Sequence, residues 1–183
     1  MDVVADAWLI PTGAGHIIGP MSTIAVSELL YLLDTAFEGT WHSLLDNLQA
    51  VTPEDWTWVP PGGHRTIHDM IQHVGGCKFM YHDYAFGAGL LTWDHPLVDG
   101  KDVLDTPAAA IAWLREGQER LRHSVAGLDD ADLPCSRMTN WGEQKETRWI
   151  ITAMIQHDLY HAGEINHLRS LHRQTDRWAY DTG

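Results

Sequence analysis

Basic residues are scarce in this chain. Twelve Lys and Arg stand against twenty-five Asp and Glu, leaving a net charge of −13 with histidines neutral. A protein that binds a nucleic-acid backbone or an anionic membrane needs clustered cations, so neither is expected as a main partner. Cysteine is almost absent: Cys77 and Cys135 are the only two. Two thiols make no disulfide framework, and the expectation is a cytoplasmic protein. No apolar run approaches the roughly 18–20 residues of a membrane span. The first twenty residues lack the basic start and long apolar stretch of a signal peptide. Strand-like alternation is also missing, which leaves helices as the material of the fold.

What is present is 183 residues, enough for one domain with a sizeable core, including nine tryptophans and twelve histidines. Pro11, Gly13, Gly15, Gly19 and Pro20 make residues 1–20 an irregular arm. Residues 21–175 read as the helical body and 176–183 as a tail. Leu29, Leu30, Leu33, Phe37, Trp41, Leu44, Leu45 and Leu48 predict helix one over 23–48, capped by Ser22 or Thr23, with Gly39 its weakest point. Thr52-Pro53-Glu54-Asp55 reads as a short capped turn and Pro60 to Gly63 as a loop. Helix two is expected over 66–86. Its Gly75-Gly76 pair is unfavourable by about 1 kcal/mol per residue, which points to close approach of another backbone or a ligand. Residues 87–105 are too long for a simple antiparallel turn, so a crossover should set helix three parallel to helix two. Helix three begins at Thr106-Pro107 and stops near Gly127. An irregular stretch over 129–143 precedes helix four, over 145–173. The fold class is therefore all-α: a four-helix bundle with a long crossover between helices two and three.

Met70-Ile71-Gln72-His73 recurs as Met154-Ile155-Gln156-His157, with His161 four residues further on. His157 and His161 stack on one face of helix four, a face continued by Ile150, Met154, Glu164, Leu168 and Leu171. His73 lies between Met70 and Cys77 at helical spacing and should also point inward. Three neutral imidazoles from two helices suit a divalent transition metal and leave a coordination position for water or substrate, as in catalytic sites. A single inward histidine is more often a hydrogen-bonded core residue; the repeat on a second helix favours ligation. Glu164, one turn beyond His161, is expected to orient an imidazole or to move a proton; the plainer reading is a salt bridge with Arg169 or Arg148. Cys77 fits a fourth, softer ligand or, more simply, an inert buried thiol. The His157-Asp158-Leu159-Tyr160-His161 string matches the zinc-protease helix poorly, because Asp158 is a methylene short of the glutamate base. His42 is expected to hydrogen-bond in the pocket, whereas His68, His82, His167 and His172 suit solvated or helix-end positions. Trp41, Trp56, Trp58, Trp93, Trp141 and Trp149 are candidate pocket walls, with core packing as their default role.

With His73 in Ile71-Gln72-His73-Val74, and His157, His161 and Glu164 in the stretch from His157 to Ile165, the chain resembles the DinB/YfiT-like superfamily of metal-dependent proteins over about residues 22–173. The resemblance implies a four-helix bundle with a long second crossover, a zinc or nickel ion on His73, His157 and His161, and a homodimer. It also implies activity of the thiol S-transferase or isomerase kind, using bacillithiol, mycothiol or glutathione. The expected function is a metal-dependent transferase that joins a low-molecular-weight thiol to a small electrophile, with Glu164 assisting. The alternatives are a metal-dependent hydrolase and a non-catalytic, stress-related metal-binding protein. The N-terminal arm and the loop from Gly87 to Gly100 depart from the family, and that loop, with Trp93-Asp94-His95-Pro96, is expected to cover the mouth of the site. Arg65, Arg137 and Arg148 are the cations left to cradle an acidic thiol.

Overall fold

The computed structural model describes residues 23–101, 104–179 and 181; the arm expected over 1–20 lies outside them. In chain order the helices are α1 (Ile24–Phe37), α2 (Leu44–Gln49), α3 (Pro53–Trp56), α4 (Ile67–Phe86), α5 (Pro96–Asp99), α6 (Pro107–Ala126) and α7 (Thr147–Arg173). Between α6 and α7 lie a 3-10 turn (Asp130–Asp132) and a small antiparallel hairpin, β1 (Ser136–Met138) with β2 (Gln144–Glu146), in which Arg137 faces Lys145. The long helices α1, α4, α6 and α7 form the bundle: α1 and α4 each pack against both α6 and α7.

Local chemistry sets where the helices start. Thr52 and Thr66 each accept the backbone N–H three residues on, and Asp55 and Asp69 return the bond to the cap backbone. Thr106 caps α6 in the same way through the Ala109 N–H, with Pro107 in the first turn. Thr23 stands at the start of α1 without a side-chain bond, and Ser22 is outside the described residues. The open end of α1 is satisfied from afar instead: the Val26 N–H donates to Asp130 Oδ1 at 3.0 Å.

Helix one is not continuous. It stops at Phe37, Glu38 is extended, and Gly39 takes φ = 96°, the left-handed region that glycine enters without strain. Asp46 holds the break by accepting the Gly39 N–H at 2.8 Å and the Ser43 hydroxyl, while Ser43 caps α2. Helix four begins at Thr147 and not at Lys145, because Lys145 belongs to the hairpin. Those strands are three residues long and hold no buried residue, which is why the pattern in the sequence misses them. Arg148 and Thr147 extend the hairpin by donating their N–H groups to Leu133 and Cys135 carbonyls at 3.0 and 2.9 Å.

The glycine pair of α4 is a packing surface. A Cβ on Gly75 would meet the Trp113 ring at 2.0 Å, and one on Gly76 would sit 3.1 Å from the Val98 carbonyl. The contacts between α4 and α6 run in the same order along both helices: Gly75 with Trp113, Lys78 with Gln118, His82 with Ser124. The two helices therefore lie parallel, and the connection between them returns the chain past the start of α4, where Gln72 donates to the Asp99 carbonyl at 2.8 Å.

Among the buried side chains is an ion pair. Lys78 Nζ lies 2.7 Å from Asp158 Oδ2 and 2.8 Å from Gln118 Oε1, 4.8 Å above the Phe37 ring, with both charged residues solvent-free. Asp158 thus points into the core, away from the role of a protease-like base. Burial pushes its carboxyl up from the ordinary range, and Lys78 opposes that shift.

Candidate metal centre

α4 and α7 pack antiparallel, so His73 near the start of one meets His157 and His161 in the middle of the other. The Nε2 atoms of His73 and His157 are 3.1 Å apart, and those of His157 and His161 are 3.2 Å apart. Nitrogen ligands at 2.0–2.1 Å from a tetrahedral zinc stand about 3.3 Å from one another. Glu164 fixes the third ring: its Oε2 lies 2.7 Å from His161 Nδ1. A carboxylate acceptor there places the ring proton on Nδ1 and leaves the Nε2 lone pair facing the other imidazoles.

Hydrogen bonding alone accounts poorly for this cluster. His157 Nε2 has two close neighbours, and one proton can lie along only one of the two lines. His157 Nδ1 is buried with no partner. The donor set therefore fits a cation better than a chain of neutral imidazoles. The rings are also kept in the form that ligation needs. Burial holds His157 down to about 3, with further depression from His161 and His73. Burial likewise lowers His73 and His161, the latter against the opposing pull of Glu164.

A second grouping shares two of these residues: single ligand atoms of His73, Cys77 and His157 lie within 4.8 Å of one another. Cys77 Sγ sits 3.8 Å from both ring nitrogens of His73, in line with the lone pair of neither. Burial pushes its thiol up to about 12. His161 Nε2, aligned by Glu164, stands 3.2 Å from His157 Nε2 and is the third donor of the set read from the sequence.

Several side chains sit elsewhere than the sequence suggests. His73 is exposed at the rim and not inward, and Leu171 is exposed too; the buried stripe of α7 runs instead through Ile150, Ile151, Met154, Asp158, Ala162 and Ile165. Trp93, from the long connection, lies nearly parallel to His73, ring centres 6.4 Å apart at 15°. His42 is exposed on the loop after α1. His172 does lie in the last turn of α7 as expected, bonded to Asp55 at 2.8 Å and stacked on Trp58, whereas His82 is half-buried and meets Ser124 at 3.1 Å. Arg137 donates to Thr147 Oγ1 and to the Ala85 carbonyl, and Arg148 pairs with Glu146. Arg169 is buried against Asn166 and the Arg177 carbonyl, not paired with Glu164. Only Arg65 reaches the site: its guanidinium lies 3.8 Å from Glu164 Oε1.

Beside the imidazoles opens a groove of about 580 Å³, lined by Pro60, Arg65, Met70, Tyr160, Glu164 and Leu168 among others. A smaller hollow of about 190 Å³ is lined by His73, Trp93 and Asp99 among others. The groove was hard to read in the sequence, because a Pro-Gly loop lines it together with Met70 of α4 and residues Tyr160 to Leu168 of α7, which come together only on folding.

The fold and the histidine cluster define a helical bundle with a candidate metal site. Residues 36–165 match the family model described as the DinB superfamily, and the chain belongs to that superfamily. No curated protein matches the chain. No described helix is long and apolar enough to cross a membrane.

Proposed function

We propose that this protein is a metal-dependent transferase that joins a low-molecular-weight thiol to a small electrophile. The observation that carries this reading is the run of short Nε2 contacts from His73 to His157 and from His157 to His161, with Glu164 leading from His161 to an open groove. These residues would hold a divalent transition ion, zinc or nickel. When bound, such an ion supplies the Lewis acidity that keeps a coordinated thiol ionised near neutral pH.

The chain's own residues do the rest. Glu164 Oε2 holds the His161 ring in register, so no ring rotation is needed when the site is used. Glu164 Oε1, on the Arg65 side, is the acceptor placed to take a proton from a thiol entering through the groove. Trp93 lies nearly parallel to the exposed His73 ring and offers an aromatic face on that side. Buried Met70 beneath the groove offers apolar surface to the body of an electrophile.

The test is conjugation of a panel of thiols (bacillithiol, mycothiol, glutathione) to a chromogenic electrophile by zinc- and nickel-loaded protein. Wild type should exceed the His73→Ala/His157→Ala/His161→Ala variant by at least 100-fold with one thiol. Equal rates for the two proteins across the panel would overturn the reading, and turnover independent of thiol would replace it with hydrolysis.

A further inference from the structure

Gly163 is the residue in α7 with no local reason to be glycine. It lies in the middle of a 27-residue helix, where glycine is unfavourable. It is not in the left-handed region, and a Cβ built on it meets nothing within 4 Å. Gly75 and Gly117, by contrast, are crowded by Trp113 and by Lys78 and Phe79. Gly163 lines the groove, so the space above it is groove space, and any larger side chain would project into that volume.

The groove itself has two characters. Met70, Leu168 and Pro60 give it an apolar wall. Arg65 stands at one side, its side chain 66% exposed and 3.8 Å from Glu164 Oε1, while the other oxygen of Glu164 is bonded to His161. His64 and His167 add further nitrogen donors nearby. Glu164 balances the charge of Arg65, but at 3.8 Å it takes no hydrogen bond from the guanidinium, whose N–H donors stay open next to apolar surface. Guanidinium groups take carboxylates in two-point contact, and the groove volume lies within the range of small-molecule sites.

We infer that this groove binds a small molecule with an apolar body and a single carboxylate, held at Arg65 over the open face of Gly163. The inference names the class of electrophile for the proposed transferase and rests on that reading only for the chemistry done there. Arg65 is a binding residue, and Gly163 acts by leaving room.

The test is calorimetric titration of the full-length protein with octanoate, octanol and octylamine, in zinc-loaded and chelator-treated forms. Octanoate should bind at least tenfold more tightly than octylamine in both forms. Arg65→Ala should weaken octanoate at least tenfold and leave octanol unchanged. Gly163→Leu should abolish binding of both, with helix content by circular dichroism as in wild type, and Gly163→Ala should keep most of it. Octylamine binding as tight as octanoate, octanoate binding retained in Gly163→Leu, or octanoate binding that vanishes with the zinc would each overturn the inference. Octanoate binding that follows this pattern in a protein with no zinc affinity would uphold the groove and sink the transferase.

Discussion

His157 carries two short contacts on one ring nitrogen and an orphaned buried nitrogen on the other side. Its position follows from the sequence, since the repeated Met-Ile-Gln-His string and the four-residue step to His161 put these rings on helix faces that can meet. The sequence also pointed to Glu164, because a residue three positions on shares that face. It did not show that His73 is exposed, since its helical neighbours Met70 and Cys77 are buried and periodicity cannot tell the centre of a stripe from its edge. Lys78 was unreadable for a similar reason: it falls on the apolar stripe of α4, and its partner Asp158 is eighty residues away in the chain. The residue-scale prediction concerns Glu164. Glu164→Gln keeps the size of the side chain and removes its charge, so zinc affinity by competition with a chromophoric chelator should fall about 10- to 100-fold with helix content unchanged. Unaltered affinity would mean that the His161 contact does not orient a ligand.

At the level of helices, the four long segments were legible because each combines a three-to-four residue stripe with a cap or a stop. Thr66 and Thr106 begin α4 and α6 where the sequence placed them, whereas α1 breaks at Gly39 because Asp46 offers the exposed backbone a better partner. The two glycines of contrasting environment give opposite expectations. Gly75→Ala forces a methyl into the Trp113 ring, and overpacking of this kind costs about 1–3 kcal/mol. Gly163→Ala has free space and a helical backbone, and should gain roughly 1 kcal/mol. Urea unfolding of the two variants checks both: a Gly75→Ala protein no less stable than wild type would contradict the packing described for α4 and α6, and a destabilised Gly163→Ala protein would contradict the open space at Gly163.

Over the whole molecule, stability depends on every buried charge keeping its partner. Lys78 and Asp158 tie α4 to α7 with no solvent access. Removing one partner strands the other, so Lys78→Met should destabilise by about 3–5 kcal/mol, while Lys78→Met with Asp158→Leu should recover most of that loss in urea melts. Asp55 ties α3 to the end of α7. Burial would raise its carboxyl, but Arg173, the Thr52 N–H and His172 together outweigh that and lower it from 3.8 to about 2. A depressed folded-state value means that this stabilisation is complete above the unfolded value near 4 and is lost as pH falls toward 2. The difference in unfolding free energy between wild type and Asp55→Asn should be roughly 2 kcal/mol at pH 6 and a few tenths at pH 2. A difference that stays constant between those pH values would remove Asp55 from the account.

The most direct measurement is X-ray absorption at the zinc edge of protein loaded with one equivalent of zinc. With His73, His157 and His161 as the protein donors, the nearest shell should contain only nitrogen and oxygen at about 2.0–2.1 Å, and Cys77→Ala should leave the spectrum unchanged. A sulfur scatterer at about 2.3 Å that disappears in Cys77→Ala, or zinc that washes out as freely as from the triple-alanine variant, would contradict a centre built from three imidazoles.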